Sequence, residues 1–260
     1  MSAFSEGYDS FIKSSSNWLG SNHGTIYVRS VEHEINDFEQ KVNQFSGSGT
    51  QTDKLKGDLA EFWHSGTHNI DAAVKGVKAR THVNRSHDFA SPDISSNFGN
   101  DYGLKYYKDG ASSAKAQSTS LFQRYMEYKA KTKSDISFSD FLKQRNISED
   151  EVLKHDPIYQ GQNRIIPKDQ WEEAIEFLKR KIAEEENKRP ELVKQYQDTL
   201  NFLEIKIKSS QGSESIALTE ADARKLAELA KKGEFDPKEY GFTTEELIKF
   251  KYRASCKTLN

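Results

Sequence analysis

Residues 91–108 read Ser-Pro-Asp-Ile-Ser-Ser-Asn-Phe-Gly-Asn-Asp-Tyr-Gly-Leu-Lys-Tyr-Tyr-Lys. The segments around 91–95 and 102–108 read as strands of a hairpin. Leu104 and Tyr106 alternate with Gly103, Lys105 and Tyr107, so one face of the second strand is apolar and the other carries the lysine. Asp93 then ends the first strand and Lys105 lies inside the second. A carboxylate and an ammonium on neighbouring strands can hold a divalent metal and a developing hydroxide beside a phosphate, with Asp93 as a hard oxygen ligand.

Upstream, Val31, Ile35, Phe38, Val42 and Phe45 recur at helical spacing and predict a helix that stops at Gly47-Ser48-Gly49. A second helix is predicted over 52–77, with Leu55, Leu59, Phe62, Trp63, Ile70 and Val74 on its apolar side and a break near Ser65-Gly66. Thr81 and Val83 mark a first strand. Downstream, Asp109-Gly110 turns the chain into one helix over 112–133, and short helices follow near 138–144 and 149–154. Residues 163–167, closed by Pro167, read as another strand. Two long helices, 169–187 and 190–209, form an antiparallel hairpin, with Pro190 in the first turn of the second and an apolar stripe running through Leu203 to Ile207. Residues 211–215 read as a linker. Thr219, with Asp222 three residues on, starts a helix that Gly233 ends, and a last helix begins near Thr244.

The fold class expected is α+β: a small mixed β-sheet flanked by helices, with helix-rich N- and C-terminal additions. The expected division is an arm and helix over 1–50, an α+β core over 51–187, the second helix of the hairpin packed on that core over 188–210, and a linker with a C-terminal helical piece over 211–260. At 260 residues such a chain can bury a sizeable core. Its 30% charged content suits long solvated helix faces.

The net charge of −2 hides an asymmetry, because residues 74–133 carry eleven Lys and Arg against five Asp and Glu. A single cysteine, Cys256, excludes an internal disulfide and a cysteine-based zinc site, which points to a reducing, cytoplasmic setting. No segment reaches the roughly 20 apolar residues of a membrane span. The amphipathic pattern at the C-terminal end has no clear stop, so a piece of a longer chain is expected.

In this order of elements, with Asp93 after Pro92 and Lys105 on the next strand, the chain resembles the PD-(D/E)xK, or restriction-endonuclease-like, nuclease superfamily over residues 55–130 and 160–182. The resemblance implies an α-β-β-β-α-β core and Mg²⁺- or Mn²⁺-dependent hydrolysis of a nucleic-acid phosphodiester. It implies that Asp93 binds the metal, that Lys105 orients or activates water, and that Glu61, in Gly57-Asp58-Leu59-Ala60-Glu61, completes the metal shell from the first helix. Gln117 falls where the helix after the lysine strand often carries a supporting polar residue.

One position departs from the pattern: the acid two residues before the lysine is replaced by Gly103. Asp101 shares the Lys105 face, but four residues of strand separate them by roughly 13 Å. Three alternatives stand. Glu61 or Asp58 supplies the missing carboxylate, a main-chain carbonyl with water suffices, or the site is inactive.

Lys75, Lys78, Arg80, Arg85, Lys108 and Lys115 flank this region and are candidate phosphate contacts, with Tyr106 and Tyr107 as candidate stacking groups. Glu61, His64 and His68 share a helix face that can take a transition metal, and His64 alone is a candidate proton donor or phosphate contact. Nucleic acid is the expected partner, and a protein partner or second copy is a further expectation. A reading of a different class is a non-catalytic module that binds nucleic acid or protein through a nuclease-like core.

Overall fold

The computed structural model describes residues 25–45, 51–86, 89–148 and 156–248. A helix over 25–43 (α1) precedes α2, Thr52–Lys75. The strands β1 (Thr81–Val83), β2 (Ile94–Ser96) and β3 (Asp101–Leu104) follow. Helices α3 (Gly110–Ser118), α4 (Leu121–Thr132) and α5 (Phe138–Lys143) then lead to β4 (Asn163–Ile165). The chain continues through α6 (Trp171–Glu185), α7 (Pro190–Asn201), β5 (Leu203–Glu204), α8 (Glu220–Lys232) and a helical start over 244–248.

The sheet is five-stranded and mixed, in the order β1-β2-β3-β4-β5. β1, β2 and β3 form an antiparallel meander in which Ile94 pairs with Tyr102. β4 runs parallel to β3, with Gly103 opposite Arg164, and β5 runs parallel to β4. Return from β3 to a parallel neighbour needs a crossover, and α3, α4 and α5 lie within it.

Side chains alternate across this sheet. Ile94, Tyr102, Leu104, Tyr106 and Ile165 join α1, α2 and α8 in the main core, with Phe235 and Phe242 closing it. Ile166 and Leu203 instead pack with Ala114, Ala174, Leu178 and Tyr196 of α3, α6 and α7. A third cluster, around Leu121, Tyr125, Phe141 and Leu142, holds α4 to α5. No helix among the described residues is long and apolar enough to cross a membrane.

Several expectations change. α2 does not break at Gly66. A Cβ there would stand 2.3 Å from the Phe38 ring, so the glycine lets α1 pack tightly against α2. The helix expected over 112–133 is two helices. Thr119 is extended, Ser120 caps α4 in a reciprocal box with Gln123, and Ser120 also bridges Pro157.

The second hairpin helix ends at Asn201 rather than near 209, because Leu203 and Glu204 join the sheet beside Arg164 and Ile165. Residues 211–215 are not a free linker: Ser213 and Ser215 are buried against α2. The cap at Thr219 and the stop at Gly233 form as expected. The expected stop at 47–49, the short helix at 149–154 and Cys256 lie outside the described residues.

Candidate functional site

Asp93 stands immediately before β2. Its N–H donates to Tyr102 O across the meander at 2.9 Å. Its Oδ2 accepts from Leu104 N at 2.6 Å and lies 3.5 Å from Lys105 Nζ. Lys105 follows β3 directly. Its ammonium also donates to Leu104 O at 2.8 Å and sits 4.5 Å from the centre of the Tyr159 ring. Burial opposes charge on this lysine, but Tyr159, Asp93 and Tyr107 outweigh it and hold its pKa above the ordinary value.

Glu61 comes from the middle of α2, with only 12% of its side chain exposed. Burial first, and then repulsion from Asp93 and Asp58, pushes its pKa up to about 9, although Arg85 and Lys105 pull the other way. Arg85 lies 3.3 Å from Asp58 and 3.6 Å from Glu61, with its guanidinium 4.9 Å from the Phe45 ring centre. Glu61, Asp58 and Lys105 line an open cleft of about 630 Å³ with Lys54, Lys56, Tyr107, Lys108 and Arg224. Lys56 is anchored there by Glu220, and Arg224 by Asp53 at 2.7 Å, so α8 helps build the wall.

Asp93 and Glu61 present hard oxygens of the kind Mg²⁺ takes, and their mutual repulsion is what a cation between such groups relieves. Among the described residues no three His, Cys, Asp or Glu form a metal-holding group. Magnesium commonly uses only one or two protein carboxylates, with water and substrate phosphate completing its shell. The donor set fits that pattern.

Comparison with protein-family models, curated proteins and solved structures finds no match.

The other sequence candidates separate. Gln117 is fully buried and its Nε2 donates to Gly103 O at 2.9 Å and to Ile165 O at 3.3 Å, bracing β3 and β4 behind the site. That ties up the main-chain carbonyl at the missing-acid position. His64 lies in the core, with Nδ1 2.9 Å from Ser215 Oγ and Nε2 2.7 Å from Tyr106 Oη. Burial lowers its pKa to about 3, so it is neutral near pH 7 and lacks the imidazolium proton that a general acid would give up. His68 is held by Asn69 and Ser213, so neither imidazole is turned to a shared metal.

Of the basic candidates, Arg85 and Lys108 flank the acid cluster. Lys75 pairs with Asp71 and Gly212 O, and Arg80 with Glu34, while Lys78 is exposed near Gln211. Lys115 opens on a separate groove between α4 and α6 beside Glu127. Tyr106 is buried and Tyr107 is 49% exposed at the cleft rim.

Sequence reasoning missed Tyr159, Gln162, Lys56 and Arg224. The signal for the first two was the Pro157-to-Gly161 turn just ahead of β4, which any strand parallel to β3 brings alongside it. Lys56 and Arg224 gave none, because their roles depend on α8 packing against α2.

Proposed function

We propose that this chain is a metal-dependent nuclease that hydrolyses phosphodiester bonds of DNA or RNA on a restriction-endonuclease-like core. The observation that carries the reading is the approach of Glu61 from α2, Asp93 from the head of β2 and Lys105 from the end of β3 beside an open cleft. The order α2, β1, β2, β3, α3, β4, with α4 and α5 inserted ahead of β4 and β4 parallel to β3, supports it, since the α-β-β-β-α-β order of that superfamily is contained in it.

Asp93 and Glu61 would hold Mg²⁺ or Mn²⁺, which would supply Lewis-acid polarisation of a phosphoryl oxygen and lower the pKa of a bound water. Lys105 is kept cationic by its neighbours, so its role is to stabilise charge developing on the phosphoryl oxygens and attacking hydroxide. Asp93 aims that ammonium and offers a carboxylate oxygen. Glu61 would have to give up its proton to act as a ligand, which would tie cation binding to rising pH. At the rim, Lys108 is placed for a backbone phosphate and Tyr107 for an unpaired base.

The purified 260-residue chain incubated with labelled DNA and RNA should cut at least one of them with Mg²⁺ or Mn²⁺ and none with chelator. A specific observation favours a second reading: Gly103 offers no side-chain ligand, and Arg85 already pairs with Asp58 at 3.3 Å and stands 3.6 Å from Glu61. Binding of nucleic acid without cleavage under any divalent metal would move the protein to that class, a non-catalytic binding module.

A further inference from the structure

The space beside Gly103 is taken by another oxygen. A Cβ built on Gly103 would lie 3.2 Å from Gln162 Oε1 and 3.4 Å from the Tyr159 ring, the same ring that faces the Lys105 ammonium. An acid at position 103 and a glutamine at 162 therefore compete for one volume. Gln162 is 8% exposed, and its Nε2 donates to Ala90 O at 2.8 Å, in the turn that leads into Asp93. That bond sets the amide with its oxygen toward Gly103.

Gln162 Oε1 is buried and has no hydrogen-bond partner in the protein. A buried acceptor left in this state is unfavourable unless something meets it. Gln162 thus spans from the turn before Asp93 to the bare position on the lysine face of β3, with its unmatched oxygen at the second of these. Amide oxygens are hard ligands of the same class as carboxylates, without the charge.

We propose that Gln162 Oε1 takes the place of the missing acid and, with Asp93, holds a hard divalent cation beside Lys105. The inference rests on reading this cleft as a metal-dependent site. A neutral ligand where an acid is usual makes the site weaker for Mg²⁺, and it accounts for a glycine at 103, since a longer residue would displace the amide.

Mn²⁺ binding to the full chain, followed by the loss of the free-ion paramagnetic resonance signal at pH 8, tests this without any activity. Gln162→Ala should weaken Mn²⁺ binding about 10- to 100-fold, the range seen when groups supporting a metal are removed. Gln162→Glu should tighten it, and Gly103→Asp added to Gln162→Ala should recover most of the loss, because the alanine frees the room the acid needs. A thermal melt in chelator checks that each variant is folded, and the double variant separates a lost ligand from lost packing. Mn²⁺ binding that depends on Asp93 but is indifferent to Gln162 overturns the inference and leaves the nuclease reading standing. An absence of Mn²⁺ binding in the unmodified chain overturns both.

Discussion

Asp93 Oδ2 accepts from Leu104 N at 2.6 Å while standing 3.5 Å from Lys105 Nζ, so one carboxylate oxygen both locks the β2–β3 register and aims the ammonium. Structure and chemistry meet at that atom. Asp93→Asn keeps a hydrogen-bonding group beside Leu104 but removes the charge. We expect it to melt within a few degrees of the unmodified protein while Mg²⁺-dependent cleavage falls about 10²- to 10³-fold, and Lys105→Ala to fall comparably. Cleavage within threefold of normal in both variants would remove the site.

Glu61 makes the metal-free protein sensitive to alkali. Its pKa rises from an ordinary 4.5 to about 9 on folding, so between those values the folded state holds a proton that the unfolded state has lost. The stabilisation of the protonated form is complete below about pH 4.5 and is lost as pH rises toward 9, by up to about 1.4 kcal/mol per pH unit. Glu61→Gln carries no such proton. Melts in chelator from pH 5 to 9 should show the variant gaining steadily on the unmodified chain, and parallel curves would refute the shift.

His64 works in the opposite direction. Burial depresses its pKa from 6.5 to about 3, so protonation favours the unfolded chain, and stability falls as pH drops from about 6.5 toward 3. His64→Gln should flatten that part of the acid-denaturation curve, read by circular dichroism against pH. A curve that keeps its slope would assign the acid sensitivity to other groups.

Ser215 is one of the residues, with Ser213 and Ile216, through which the segment after β5 grips α2. Its Oγ lies against His64 and accepts from Ile207 N at 2.8 Å. Ser215→Ala orphans a buried backbone N–H and one imidazole nitrogen, a loss of about 1–3 kcal/mol in urea denaturation. A change under about 0.5 kcal/mol would mean that the segment is the loose linker its composition suggests.

Gly66→Ala gains about 1 kcal/mol in an exposed helix. In α2 its methyl would stand 2.3 Å from the Phe38 ring, and overpacking of this kind is worth about 1–3 kcal/mol in the other direction. Net destabilisation is expected, relieved in part when Phe38→Leu is added. A stabilised Gly66→Ala would show that α1 does not cross α2 at this point.

The apolar stripe of α2, the Thr219 cap and the Gly233 stop were legible because each is written within one or two helical turns. The same rule misled between α3 and α4, where apolar spacing continues across a break made by Ser120 and its bridge to Pro157. Leu203 and Ile207 fit a helical stripe equally well, yet Leu203 enters a two-residue strand whose pairing partner lies on β4. His64 and His68, four residues apart, matched a metal pair on spacing alone. The serines that occupy them come from a stretch whose small polar composition reads as solvent-exposed.

What the sequence determined by itself is local: the main helical stripes and the β2–β3 hairpin, with Asp93 just before one strand and Lys105 just after the next rather than within them, and the lack of an acid at position 103. Only the tertiary structure decided that burial, with Asp93 and Asp58 nearby, holds Glu61 protonated, that α8 walls the cleft through Lys56 and Arg224, and that Gln162 faces Gly103. The reason is reach. Periodicity reports side chains one turn or one strand apart, whereas burial, repulsion and competition for volume arise between groups that meet only once the helices have closed on both faces of the sheet.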